Sequence, residues 1–281
     1  MQKRKLRWIL IIIIVAISLY QYANQDESFE TVSPELPATL EAPEEESVVV
    51  TETETVEMAT KTPLLEAESV EPTLIPTENP DQFANLEEVD GDFDFFVMAL
   101  SWSPDYCASN DYQDAQQCSI GKQLDFVLHG LWPQYEQGWP DYCSTEELPY
   151  DLKDEYTGLY PSDKLFDHEW EKHGTCSGLS PEGYLAWSEA LKEGLVIPLS
   201  YDSPLEPFRA DADSLRAAFV AENPSFSENS FAIYCSGSGR FLKEIFVCYE
   251  KDGTPRECSD EILKKAAKSC GQEDFLVRNT R

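Results

Sequence analysis

Basic residues are scarce in this chain. Only 21 Lys and Arg stand against 53 Asp and Glu in 281 residues, a formal charge of −32. Phosphate backbones are held mainly by cations, so a protein that coats nucleic acid is excluded, and binding to phosphate must be local and confined to a cleft. Internal repeats are absent. So are cysteines spaced C-x2-C or C-x4-C; the closest pairs in sequence are Cys107 with Cys118 and Cys248 with Cys258, which gives no compact four-ligand zinc cluster. Histidine is rarer still, with only His129, His168 and His173.

The negative charge is unevenly spread. Residues 1–25 carry four basic residues and no acid, whereas residues 26–90 carry 19 acids against one lysine. The remaining stretch is still acidic, but all eight cysteines and all three histidines lie in it. An even number of cysteines behind a membrane-directing N-terminus points to disulfides formed in an oxidising compartment. No metal and no cofactor is called for.

Lys3, Arg4, Lys5 and Arg7 precede the apolar run Ile9–Tyr20, the order of a secretory signal. Residues 1–25 therefore read as a signal peptide or a signal anchor. The run is short for a spanning helix of about 17–25 residues, though residues 8–23 come close, and no clean small-x-small cleavage site follows. As an anchor it would tether the protein to the membrane with its N-terminus cytoplasmic. Residues 26–90 contain seven prolines and many Thr and Glu residues; they cannot bury enough apolar surface to offset the entropy of ordering, and read as a disordered, extended tether. Residues 91–281 are then a single folded domain, placed outside the cytoplasm as a secreted, periplasmic or outer-face anchored protein.

Within that domain, Phe95–Leu100 and Leu124–His129 read as buried strands, the second stopped by Gly130 and Pro133. Residues 161–174 read as a helix capped by Ser162, and a second helix opens at Ser180-Pro181-Glu182 and runs to about Glu193. A third, capped by Asp211 or Asp213, ends before Pro224. Ser230–Cys235 and Phe241–Tyr249 are strand-like, a turn follows at Asp252-Gly253, and Glu261–Lys268 reads as a short helix. Strands interleaved with helices, with antiparallel return strands late, indicate an α+β fold.

His168 and His173 lie five apart, about 500° of helical rotation, so the two rings diverge and shared zinc ligation from one regular helix is poor. The four-residue spacings are His168 with Lys172 and Glu169 with His173, the latter placing a carboxylate where it can orient an imidazole. Imidazole, carboxylate and ammonium together suit proton transfer while charge builds on a phosphate. The competing reading is of surface histidines near a helix end.

Two motifs carry a family resemblance. His129-Gly130-Leu131-Trp132-Pro133 and Phe166-Asp167-His168-Glu169-Trp170-Glu171-Lys172-His173-Gly174-Thr175-Cys176, about forty residues apart, resemble the two active-site signatures of the ribonuclease T2 family, and Ala99–Cys107 is similar to its first strand and following loop. The resemblance implies an α+β fold with a central, mainly antiparallel sheet packed with helices. It also implies a metal-independent endoribonuclease of low base specificity that cleaves single-stranded RNA by transphosphorylation to 2′,3′-cyclic phosphate and then 3′-phosphate ends. No obligate protein partner is implied.

Carried over residue by residue, the resemblance makes His173 the base and His129 the acid of the first step. Glu169 and Lys172 would stabilise the transition state, His168 bind phosphate and Trp132 stack on a base; the alternative for Trp132 is a plain core residue. Gln134 stands where some relatives carry an acid, while Tyr135 and Trp139 are candidate pocket walls. Phe166, Trp170 and Thr175 read as packing and local support. The implied disulfides are Cys107–Cys118, Cys143–Cys176, Cys235–Cys270 and Cys248–Cys258.

Overall fold

The computed structural model describes residues 83–110 and 112–281; the segment read as a signal or anchor and most of the stretch read as a tether lie outside them. Six strands make one sheet in the order β2-β1-β5-β6-β3, with β4 also paired to β5. They are β1 (Phe95–Trp102), β2 (Phe126–Gln134), β3 (Phe208–Ala210), β4 (Phe231–Ser236), β5 (Phe241–Tyr249) and β6 (Phe275–Val277). Every pairing is antiparallel except β5 with β6. The helices are α1 (Ser103–Ser109), α2 (Ala115–Cys118), α3 (Tyr150–Glu155), α4 (Lys164–Lys172), α5 (Pro181–Glu193), α6 (Ala212–Glu222) and α7 (Asp260–Ser269). This is the expected α+β arrangement, and all four disulfides pair as the family resemblance implied.

Alternating side chains of β1 supply two cores. Phe96, Met98 and Leu100 join Leu128, Leu131 and Ile245 in the main core, which Phe166, Trp170, Tyr184 and Phe219 of the helices complete. Phe95 and Val97 point the other way, into a smaller cluster with Cys248 and with Ile262 and Ala266 of α7.

Three expectations are corrected. First, β2 does not stop at Gly130 and Pro133 but continues to Gln134. It is an edge strand, where a proline's missing N–H need not break a ladder. Second, Ser162 does not cap α4, which begins at Lys164. Gln116 of α2 holds the chain there instead: its amide donates to Asp163 Oδ2 at 2.7 Å and its carbonyl accepts the Asp163 N–H at 3.0 Å.

Third, the last eight residues of the expected tether, 83–90, are packed onto the domain. The Phe83 ring stacks on Trp187 with centroids 5.2 Å apart. The Glu87 carboxylate accepts from the Ser180 N–H at 2.9 Å and its hydroxyl at 2.5 Å, at the start of α5. Phe83, Leu86 and Val89 lie against the main core; average composition of the acidic stretch hid these apolar residues.

Candidate active site

A cleft of about 310 Å³ opens between β2, the C-terminal end of α4, and α7. His129, Trp132, His168, Glu169, Lys172 and His173 all line it, together with Gln134, Tyr135 and Trp139.

A bulge in β2 delivers the first histidine. Ala99 pairs with Gly130 and Leu100 with Leu128, so His129 is the extra residue between them. A bulge shifts the alternation by one position and re-aims the side chain. Leu128 and Leu131 can thus both enter the main core while His129 and Trp132 both face the cleft. Gly130 is required for a second reason: a Cβ there would collide with Glu169 Oε2 and Trp132 Nε1.

Helix α4 supplies the facing groups, anchored by buried Phe166 and Trp170. Glu169 is fully buried, and the Trp132 indole N–H donates to its Oε2 at 2.7 Å. Its other oxygen, Oε1, has no hydrogen-bond partner and lies 3.8 Å from His129 Nε2 and 4.0 Å from His168 Nε2. The expected side-chain pairing of Glu169 with His173 is replaced by these contacts. His173 sits at the helix C-cap, where its backbone N–H bonds the Glu169 carbonyl at 3.0 Å. Its buried ring lies nearly flat on Trp132, with centroids 5.1 Å apart and planes 27° apart.

Trp132 is therefore not a plain core residue: it is partly exposed, and its ring is stacked on His173. Its ring also meets His129 and Phe246 edge-on, each at 5.1 Å.

Of the three cleft imidazoles, His129 and His173 are biased in opposite directions. Burial pushes His173 down to about 3, helped by the charges of Lys172, His168 and His129, so it is neutral near pH 7. Burial also works against protonation of His129. The hydrogen bond and charge of Glu244 and the charge of Glu169 outweigh it and raise its pKa. Burial pushes Glu169 up to about 7, against the pull of His129, Trp132 and Lys172. His168, half exposed, is lowered by partial burial and by the charges of Lys172 and His129.

Glu244 was not singled out by the sequence. It is buried on β5 and accepts from His129 Nδ1 at 2.8 Å; Ser101 of β1 donates to the same carboxylate at 3.1 Å. An acid on the same face of the strand as Phe246 was the available signal, but only the strand order places it near His129. The wall formed by Ser259, Ile262 and Lys265 of α7 and its cap was likewise missed, because it is far from both motifs in sequence. The supporting residues behave as expected: Thr175 Oγ1 accepts the Cys143 N–H at 3.1 Å, beside the Cys143–Cys176 bridge.

Among the described residues, no group of three or more His, Cys, Asp or Glu side chains is arranged to hold a metal ion.

Comparison with known proteins identifies the family. Residues 93–258 match the family model described as "Ribonuclease T2 family". A ribonuclease of Aeromonas hydrophila is 42% identical over 202 residues, covering 68% of this chain and 88% of that protein. A probable ribonuclease of Haemophilus influenzae is 28% identical, covering 66% and 71%. Among solved structures, an RNase-related protein from Calystegia sepium shares the fold with a TM-score of 0.52 at 20% identity, covering 68% of this chain and 98% of that one. The protein described by residues 83–281, with its bulged strand and histidine-bearing helix, belongs to the ribonuclease T2 family.

Proposed function

We propose that this cleft cuts single-stranded RNA with His173 as base and His129 as acid. The observation that carries the reading is the convergence of His129, His168, Glu169, Lys172 and His173 on one cleft, with the His173 imidazole pushed down by burial and that of His129 raised by Glu244. As a ribonuclease T2-type endoribonuclease, the enzyme uses RNA's own 2′-hydroxyl as nucleophile, so the chemistry calls for two proton carriers and no metal.

His173 takes the 2′-hydroxyl proton as O2′ bonds to phosphorus. His129 gives a proton to O5′ as the P–O5′ bond breaks, leaving a 2′,3′-cyclic phosphate. The roles exchange when water opens the ring to a 3′-phosphate. Lys172 and Glu169 lie where charge builds on the phosphate, and His168, the more exposed imidazole, binds it from outside. A base stacks on the part of Trp132 that lines the cleft, with low base specificity because every base offers a π-face. DNA lacks the nucleophile and is not cut.

His173 is neutral and His129 charged only between their two pKa values. Turnover should therefore decline on the alkaline side as His129 loses its proton, leaving a mildly acidic to neutral optimum. The decisive assay incubates the protein with single-stranded RNA in excess EDTA. Cyclic phosphate ends are expected, and no cleavage at any pH from about 4 to about 8 would sink the reading. His129→Ala and His173→Ala should each lose about 10²–10⁴-fold in rate; near-normal turnover in both would remove the assigned roles.

The four disulfides and the family fit an extracytoplasmic enzyme. For residues 8–23, which lie outside the described part, the anchor reading predicts that the enzyme stays with alkali-washed membranes. Release of a shortened chain into the medium would instead mean a cleaved signal.

A further inference from the structure

The three strands β2, β1 and β5 are neighbours in that order, and each contributes one polar side chain to a line running across the cleft face. His129 is on β2, Ser101 on β1 and Glu244 on β5, with Ser101 directly paired to Glu244 in register. Adjacent strands lie about 4.8 Å apart, so His129 and Glu244 meet only by reaching over β1. The small Ser101 side chain leaves that lane open. Nδ1 of His129 lies 2.8 Å from Glu244 Oε1, and the Ser101 hydroxyl donates to the same oxygen at 3.1 Å. The second carboxylate oxygen, Oε2, is 3.6 Å from Lys243 Nζ.

We propose that Glu244, assisted by Ser101, is the positioning residue for the general acid: it holds His129 with Nδ1–H donated to the carboxylate and Nε2 turned toward the leaving oxygen. This rests on the reading of His129 as the acid. A buried carboxylate on one ring nitrogen fixes which nitrogen exchanges protons, because the other hydrogen bond is already made. In the first step the Nε2 proton passes to O5′ as the P–O5′ bond breaks, while the Nδ1 proton stays with Glu244. The neutral ring left behind already has Nε2 free to accept a proton from water in the second step.

The electrostatics agree with the geometry. Burial opposes ionisation of Glu244, but the bonds and charges of His129, with Lys243 and Ser101, outweigh it and keep its pKa below the usual value. The other charged or titratable groups around His129 are His168, Glu169 and Lys172 of α4, His173 at its C-cap, and Lys243 of β5. Tyr234 of β4 faces Glu244. Among the described acids, Glu244 alone makes a hydrogen bond to the ring.

Glu244→Gln keeps the shape and the accepting oxygen but removes the charge. Turnover should fall about tenfold or more, up to the 10²–10⁴ a general acid supplies. The alkaline limb of kcat/KM should move toward acid pH by about one unit. The deficit should shrink on RNA whose scissile bond carries a 5′-bridging sulfur, since a thiolate leaves without being protonated.

An unmoved alkaline limb, or an equal deficit on both substrates, would overturn the proposal; a merely structural role gives that result. If the variant does not fold, nitrogen-15 spectra of the unmutated protein decide. Neutral His129 should carry its proton on Nδ1, and an Nε2–H tautomer overturns the proposal. If His129→Ala is inactive and Glu244→Gln keeps the normal pH profile, the positioning role fails while the proposed function stands. If His129→Ala cleaves normally, that function fails first.

Discussion

Replacing Trp132 by phenylalanine removes a hydrogen bond while keeping a flat ring. The Glu169 carboxylate has one bonded oxygen, Oε2, and that bond comes from the Trp132 indole; Oε1 has none. The variant would leave a buried carboxylate with neither oxygen satisfied, a loss of about 1–3 kcal/mol. Trp132→Phe is expected to melt at lower temperature and to lose turnover as Glu169 shifts between His129 and His168. A base could still stack on phenylalanine. A variant with unchanged melting and only a raised KM would mean that Trp132 serves the base and not the carboxylate.

At the scale of elements, the Cys143–Cys176 bridge joins the segment after β2 to the end of α4. The Tyr142 N–H donates to the Lys172 carbonyl at 3.0 Å, and the Cys143 N–H to Thr175 Oγ1. The bridge therefore fixes the turn that carries Lys172 and His173. Closing a 33-residue span is worth roughly 3–4 kcal/mol on chain-entropy grounds, so Cys176→Ser should melt lower and turn over more slowly. Undiminished turnover with unchanged melting would count against a link between this bridge and the site.

Elements differed in how well the sequence exposed them. Strand β5 was legible from its apolar run and helix α5 from its start signal, Ser180 before Pro181; α7 was read one residue short at each end, without its cap Ser259. Strands β3 and β6 have three residues each, too few for a period. The bulge at His129 depends on the register of β1 against β2, which no single segment encodes. The histidine, carboxylate and lysine cluster was legible from its motif, but the pairing of His129 with Glu244 spans 115 residues and required the strand order.

For the whole molecule, two of the buried site groups make opposed contributions to how stability depends on pH. His173 has a folded pKa of about 3 against 6.5 for the ordinary ring. The unfolded chain binds its proton more readily, so this contribution is full above 6.5 and is lost as pH falls toward 3. Glu169 has a folded pKa of about 7 against 4.5. The folded chain holds that proton longer, so its contribution is full below 4.5 and is lost as pH rises toward 7. Between 4.5 and 6.5 the two slopes oppose one another. Glu169→Gln removes one of them. Unfolding free energies of the variant should therefore climb with pH more steeply than those of the unmutated protein across this window, by up to about 1.4 kcal/mol per pH unit. Urea titrations at several pH values measure the difference. Parallel profiles would mean that Glu169 ionises at its ordinary pH despite its burial, and that it faces the phosphate as a full negative charge throughout the working range.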